Sequence, residues 1–340
     1  MSDLRIGVLG AARISSNALL RPAAETDGVV VAAIASRDRE RANAQADEFS
    51  IETVHDSYEA LLADPTLDAI YNPLPTNLHH PWTIAALEAG KHVLCEKPFA
   101  SNAALAREMV EAGDRANERD GLILMEAFHW RYHPFATRLG EIIASGTLGQ
   151  ITDVAAEFSV EIDPEDDVRH AWELSGGALM DLGCYPLQWV RFAVGEEPTV
   201  DSATMVQGRP NVDIETSIEL SFPGGVRGSV VTKMSQGTEL AFWLRVVGTD
   251  GELFARNPLA PHAGNELVVR TATGETSEEV AGRTTYHYQL EAFRDAIRLG
   301  QPFPTGGSDS IAMMELIDAC YLAAGMAPRG TQLPEDMGAA

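Results

Sequence analysis

Short apolar runs alternate with helix-period segments through the first third of the chain. LRIGVLG at 4–10 precedes a helical pattern near 17–25, VVVAAIAS at 29–36 precedes another near 38–49, and LDAIYNPLP and HVLCEKP follow at 67–75 and 92–98. This alternation predicts parallel βαβ units. LILME at 122–126 reads as one more strand, and then the texture changes. From residue 151 come long period-two segments, ITDVAAEFSVEI, ETSIELSF, VRGSVVTKM and ELAFWLRVVG, with turn signals PGG at 223–225 and TDG at 249–251. They predict antiparallel strands. An apolar helical stretch, GALMDLGCYPLQWVRFAVG, lies between the first two, and two more helices are expected near 286–299 and 309–324. The fold class is therefore α/β: an N-terminal parallel sheet over 1–126, then a C-terminal α+β domain over 127–340 with a large, mainly antiparallel open sheet. A cleft between them is expected, with ligands beyond the carboxyl ends of the parallel strands.

Composition narrows the partners. The 340 residues suit two domains, and 25 basic against 50 acidic residues give a formal charge of −25. Such a field repels phosphate backbones and anionic bilayers, so neither nucleic acid nor membrane is expected as a partner. Cys95, Cys184 and Cys320 form no CxxC pair, which argues against disulfides and a thiolate zinc site. No basic n-region opens the chain and no run of about 18 apolar residues occurs. A soluble, cytoplasmic protein is the expectation.

IGVLGAARIS at 6–15 has the strand–turn–helix context of a dinucleotide loop. In the GxGxxG register Gly10 makes the tight turn, while Ala12 and Ser15 replace the second and third glycines. Gly10, Ala12, Arg13 and Ile14 are the cofactor-facing candidates, because a helix N-terminus offers amide donors to phosphate. At the end of the second strand an NAD site places Asp or Glu, but IASRDR puts Ser36 and Arg37 there. A hydroxyl and a guanidinium suit a 2′-phosphate. NADP is the expected cofactor, with NAD as the alternative and Arg37 as a solvated partner of Asp38 or Glu40 as the structural reading.

Lysine is rare: three residues against 22 arginines, two of them in AGKHVLCEKPFAS at 89–101. An ammonium can lose its proton when desolvated, whereas a guanidinium stays charged. Lys97, between Glu96 and Pro98 at a strand end, is thereby a candidate for proton chemistry. Pro98 restrains the backbone on both sides; the sequence leaves the isomer of that bond open.

These residues resemble the glucose-fructose oxidoreductase, inositol dehydrogenase and MocA family of nicotinamide-dependent oxidoreductases. The likeness covers nearly the whole chain and rests on GAARIS, on PLPTNLHHPWTIAALEAGKHVLCEKPFA at 73–100, on EAFHWRYHP at 126–134 and on GGALMDLGCYPL at 176–187. It implies a Rossmann-type first domain and a hydride-transferring activity. It also implies that Lys97 and Tyr185 handle the proton, with Asp181 one turn before Tyr185. The DxGxY pattern is similar to the branch of dihydrodiol and xylose dehydrogenases, since the inositol branch has histidine where Tyr185 stands. By the same resemblance Pro73, Leu74 and Pro75 line the cofactor with backbone, Asn77, His80 and Glu96 lie along its nicotinamide side, and Trp130 and Arg131 close over it.

The residue types suit the chemistry. A phenol of pKa about 10 accepts a proton at neutral pH only with a cation beside it, a differential stabilisation of about 4 kcal/mol that Lys97 would supply. Asp181 and Tyr185, four apart on a helix, share one face. The acidic loop DPEDD at 163–167 reads as a solvated face, and Arg169 and Trp172 just beyond it, with Asp181 and Tyr185, are the substrate-binding candidates. His129 and His133 have zinc-like i, i+4 spacing but lack HExxH and a cysteine, so no metal is expected. The alternating strands over 216–247 leave a sheet face that a homodimer or higher oligomer would cover. The reading is an NADP-dependent dehydrogenase or reductase of a sugar, polyol or cyclic diol, with oxidation at C1 of an aldose first. An NAD-dependent glycosidase on the same fold and a non-catalytic nucleotide-binding regulator are the rivals.

Overall fold

Six short strands form in the first third: β1 (Leu4–Leu9), β2 (Val29–Ala35), β3 (Thr53–His55), β4 (Ala69–Asn72), β5 (His92–Cys95) and β6 (Leu124–Glu126). They belong to a computed structural model that describes residues 2–163 and 167–331. The central strands are buried on both faces, which is why they read as continuous apolar runs. All pair in parallel, in the order β3-β2-β1-β4-β5-β6. Helices Arg39–Phe49, His79–Glu88 and Ala103–Asp120 make the crossovers. Asp38 caps the first of these by accepting from Arg41 N at 3.0 Å.

Packing divides the chain into two units. The first holds residues up to Ala100, Ala104–Tyr132 and Arg283–Ile311; the second holds Ser101–Ala103, His133–Gly282 and the chain from Ala312 on. A single division at residue 126 does not contain this return. Helix Thr285–Leu299 carries Leu290 and Phe293 into the core of Leu4, Ile6, Leu19 and Tyr71, so an apolar face late in the sequence completes an early sheet.

The second unit is built on eight strands: β7 (Ile151–Ser159), β8 (Thr199–Arg209), β9 (Val212–Ser221), β10 (Arg227–Lys233), β11 (Ala241–Gly248), β12 (Gly251–Arg256), β13 (Glu266–Thr271) and β14 (Gly274–Glu278). Their order is β14-β13-β12-β11-β7-β10-β9-β8. One pairing departs from the antiparallel expectation: β10 runs parallel to β7, with Val230 opposite Ala156. The long crossover between them, a helix and the β8–β9 hairpin, is what permits a parallel neighbour.

That helix spans 179–194 and packs on β7, β10 and β11. It is not uniform. Leu179–Gly183 is a π-turn, and Cys184–Val194 is α-helical. Pro186 has no N–H to give to Leu182, and the run widens just before it. Leu187, Trp189 and Val190 on it are buried, and Trp189 lies against Phe158 of β7, with ring centroids 6.5 Å apart, on the sheet face that also carries Leu244 and Val246. Strand alternation puts Trp243 and Phe254 on the other face, stacked with ring centroids 6.1 Å apart.

Candidate active site

In a parallel sheet every carboxyl end lies at one edge, so the loops after β1, β2, β4 and β5 gather there. Gly10 takes φ +80°, and a Cβ there would come 2.9 Å from Leu74 Cδ2. Only glycine fits the turn. Its N–H donates to Ala35 O at 2.6 Å, joining the ends of β1 and β2. Ala12 is the N-cap of the helix that begins at Arg13, and no side chain caps it. Ser15, in the third glycine position, is fully buried, as close helix–strand packing requires. Arg13 and Ile14 are exposed. An uncapped helix N-terminus behind a tight turn fits the phosphates of a dinucleotide.

Ser36 accepts from Asp38 N at 3.1 Å, and Arg37 is exposed beside it. The Tyr58 phenol meets both loops. Burial raises its pKa, against hydrogen bonds from the Arg37 backbone and guanidinium, and its hydroxyl lies 3.7 Å from where a Gly10 Cβ would stand. An exposed guanidinium anchored at this strand end fits the extra phosphate of NADP.

Two further loops are tied by one imidazole. His79 is buried, with Nε2 2.7 Å from Leu74 O and Nδ1 2.9 Å from Pro98 O. It thus spans the Pro73–Leu74–Pro75 segment and the Lys97–Pro98 step, whose peptide bond is cis. Burial pushes the imidazolium down to about 4; the backbone groups of Leu74, Pro98 and Phe99 oppose this without overcoming it, and the charge of Lys97 adds to it. Asn72, also buried, donates to His79 O at 3.3 Å and Thr83 Oγ1 at 3.2 Å. Glu96 accepts from the Tyr71 hydroxyl at 2.7 Å. Asn77 and Lys97 are half-buried in these loops.

His80, expected along the cofactor, lies with Nε2 2.8 Å from the exposed Glu108, whereas its neighbour His79 is buried. The reason is helical phase. His79, Thr83, Ala86 and Leu87 form the buried stripe of this helix, and His80, off that stripe, is partly buried. Trp130 lies in the 3₁₀ turn His129–Tyr132 and is fully buried, with Arg131 5.7 Å over its ring. The zinc-like pair is engaged locally: His129 Nδ1 is 2.8 Å from Thr285 Oγ1, and His133 accepts from Phe135 N at 3.0 Å. Among the described residues, no three His, Cys, Asp or Glu side chains form a metal-ligating group.

The second unit gathers all four substrate candidates around one helix entry. Asp181 lies in the π-turn and Tyr185 in the first α-turn, so a widened turn still sets them on nearly one side. Tyr185 is buried edge-on against Phe158, with centroids 5.8 Å apart and planes at 68°. Arg169 ion-pairs with Asp181 and, at 3.1 Å, with Asp167. The Asp181 charge first, then Asp167, makes that guanidinium hold its proton more tightly. Trp172 stacks against Arg329, whose guanidinium carbon is 4.7 Å from the indole centroid. Of the acidic loop, Pro164, Glu165 and Asp166 lie outside the described residues.

Several residues at these loops carry no sequence signal. Arg41 and Gln45, on helix Arg39–Phe49, donate to Ala11 O at 2.9 Å and Ala12 O at 3.1 Å. On a polar helix both look solvated. His79 could have been found from the stripe it shares with Thr83, Ala86 and Leu87.

Comparison with known proteins gives a consistent result. Residues 4–123 match the GFO/IDH/MocA model described as an oxidoreductase family with an NAD-binding Rossmann fold, and residues 136–254 match the GFO/IDH/MocA C-terminal domain. The chain is 38% identical over 322 residues to D-xylose 1-dehydrogenase (NADP(+)) 2 of Haloferax volcanii, covering 94% of this chain and 96% of that one. It is 35% identical to dTDP-3,4-didehydro-2,6-dideoxy-alpha-D-glucose 3-reductase of Streptomyces violaceoruber, over 94% of this chain and 95% of that one. Among solved structures, KijD10, a 3-ketoreductase from Actinomadura kijaniata in complex with NADP and TDP-benzene, superimposes with a TM-score of 0.87 at 28% identity, covering 95% of this chain and 98% of that one.

The His79 geometry has a pH consequence. Its folded pKa of about 4 lies below the unfolded value near 6.5, so between these the unfolded chain binds the extra proton and stability falls as pH falls. The wild type should lose about 1.4 kcal/mol per pH unit from this group across that window, a slope absent in His79→Gln. Urea unfolding of both proteins at pH 4.5, 5.5 and 7 measures the difference.

Proposed function

The chain belongs to the GFO/IDH/MocA family of oxidoreductases, and on that premise we propose that it transfers hydride between NADP and a carbinol or carbonyl carbon of an uncharged sugar or polyol, with C1 of an aldose first. The observation that carries the substrate class is the charge state around Asp181. The Arg169 guanidinium is already matched by Asp167 and Asp181. A diphosphate-linked sugar would meet a neutralised cation inside a protein of net charge −25. A neutral polyol can accept from Arg169 and donate to Asp181 without disturbing the pair's balance.

The remaining roles follow from the residues. The helix N-terminus at Ala12, Arg13 and Ile14, behind Gly10, would hold the pyrophosphate, and Ser36 and Arg37 the 2′-phosphate. Pro73, Leu74 and Pro75 would line the nicotinamide with backbone, with Asn77, His80, Glu96, Trp130 and Arg131 around it. When bound, the cofactor supplies or accepts the hydride. Tyr185 takes the hydroxyl proton as the carbonyl forms, Lys97 supplies the positive charge that favours the phenolate, and Asp181 orients the substrate hydroxyl. Pairing of subunits through the Trp243–Phe254 face of the eight-stranded sheet is part of the same reading.

Nicotinamide absorbance with aldoses, inositols, diols and a dTDP-sugar tests the function. Turnover should appear with NADP and neutral aldoses. Lys97→Met and Tyr185→Phe should each lower kcat by about 10²–10⁴-fold, and the double variant should lose little more, as expected of groups acting as a unit. Turnover confined to the dTDP-sugar would overturn the substrate class, and bound cofactor without turnover would favour the glycosidase or regulator.

Arg37→Ala should raise the KM for NADP about tenfold or more, and leave that for NAD nearly unchanged, because a charge-assisted contact to phosphate is worth about 1.5–3 kcal/mol. Equal effects on both would remove Arg37 from the 2′-phosphate site. Light scattering should give at least twice the mass of one chain; a monomeric mass would remove the sheet-mediated pairing.

A further inference from the structure

The helix that carries Asp181 and Tyr185 is entered through Gly176 and Gly177, and one buried ion pair holds that entry. Arg329 and Asp213 are both completely inaccessible and meet at 2.6 Å. Neither was a candidate from sequence. Thr216 Oγ1 donates to Asp213 Oδ2 at 3.0 Å and Arg329 Nη1 to Ala327 O at 3.4 Å, and two further bonds of the pair reach the helix start. Arg329 Nε donates to Gly176 O at 2.6 Å, and Asp213 Oδ2 accepts from Leu179 N at 2.7 Å. Asp213 thereby does for this helix what its own N-cap residue, Ala178, cannot.

The fit between turn and pair is close. Gly177 has φ +141°, and a Cβ there would come 2.3 Å from Asp213 Oδ1 and 2.8 Å from both Arg329 Nη2 and the Tyr321 hydroxyl. Any side chain would displace the pair. Tyr321 completes it, donating to Asp213 Oδ1 at 2.9 Å with Arg329 4.1 Å from its ring centroid. The opposite side of the guanidinium environment includes Trp172, and Asn102 donates to Arg329 O at 2.8 Å. The Asp181 amide then bonds to Gly177 O at 3.1 Å, one step from the clamped turn.

We propose that Arg329, acting through Asp213, is a positioning residue that sets the angle at which the 179–194 helix presents Asp181 and Tyr185. A buried ion pair is by itself weak evidence for stability, because desolvation offsets its attraction. The distribution of its hydrogen bonds is the stronger indication: one guanidinium and one carboxylate satisfy a carbonyl and an amide of a single turn. An arginine fork can do this in one plane, and a lysine cannot. The proposal rests on the roles assigned above to Asp181 and Tyr185, so its test has a readout that does not depend on turnover.

Three variants, Arg329→Met, Arg329→Lys and Asp213→Asn, would be compared with Leu253→Ala, a core truncation in β12 of the same unit. Measurements are kcat and KM, cofactor Kd by nicotinamide fluorescence, melting temperature, and hydrogen–deuterium exchange of peptides over 176–186. Arg329→Met should lose about 10²-fold in kcat, the effect of misplacing reacting groups by about 1 Å, with cofactor Kd nearly unchanged. Exchange should rise in 176–186 in all three variants, and Arg329→Lys should recover part of kcat. Leu253→Ala should lose stability without the same loss of kcat. If kcat falls in Arg329→Met no more than in Leu253→Ala, or if exchange over 176–186 is unchanged, the positioning role is overturned. Should Arg329→Met fail to fold, Asp213→Asn, which keeps the side-chain shape, decides by the same comparison. If the wild type shows no turnover, the functional reading fails while exchange still decides the clamp.

Discussion

A peptide carbonyl buried in a loop has no ladder partner, and leaving it without a donor costs about 1–3 kcal/mol. The candidate-site loops of both units meet that constraint in one way, by a side chain reaching in from another element. Arg41 and Gln45 serve Ala11 and Ala12 in the phosphate loop. Neutral His79 lies between Leu74 O and Pro98 O and donates to one of them, Arg329 serves Gly176, and Asn102 serves Arg329 itself. These donors make irregular backbone behave as a rigid support. Rigid support is what hydride transfer asks of a protein, since the reacting atoms must be placed while the cofactor carries the reaction.

This dependence also explains which parts of the molecule the sequence makes legible. The parallel sheet is readable because both faces of β1, β2 and β4 are buried, so periodicity alone marks them. The sheet of the second unit is readable from alternation in β9 to β11, but alternation says nothing of strand order, and the parallel β7–β10 pair has no local signature. The return of helix Thr285–Leu299 to the first core is equally silent, since its apolar stripe shows that something is covered and not what.

At the candidate site, Gly10 was singled out by its turn, Ser36 and Arg37 by standing where a carboxylate is usual, and Lys97 by rarity. The donors to loop carbonyls were not. Gln45 and Arg41 have the composition of a solvated helix face, and Asp213 and Arg329 are 116 residues apart in sequence with no motif around either. The difference in burial between His79 and His80 is instructive because the information was present. Phase along the helix separates the two rings by about 100°, and only one of them falls on the stripe with Thr83, Ala86 and Leu87.

Rarity of lysine turns out to have two physical meanings within seven residues. The Lys91 ammonium is buried and donates to Asp64 O and Leu67 O, each at 2.7 Å, where burial lowers its pKa. A compact head with three rotatable donors can meet two carbonyls converging at a narrow point, and a planar fork cannot. That lysine is structural. Lys97 stands in a different setting, next to the cis proline and in electrostatic contact with a neutral, buried His79. In an arginine-rich chain, the carbonyls of Asp64 and Leu67 thus give Lys91 a structural reason to be lysine, and that reason does not extend to Lys97.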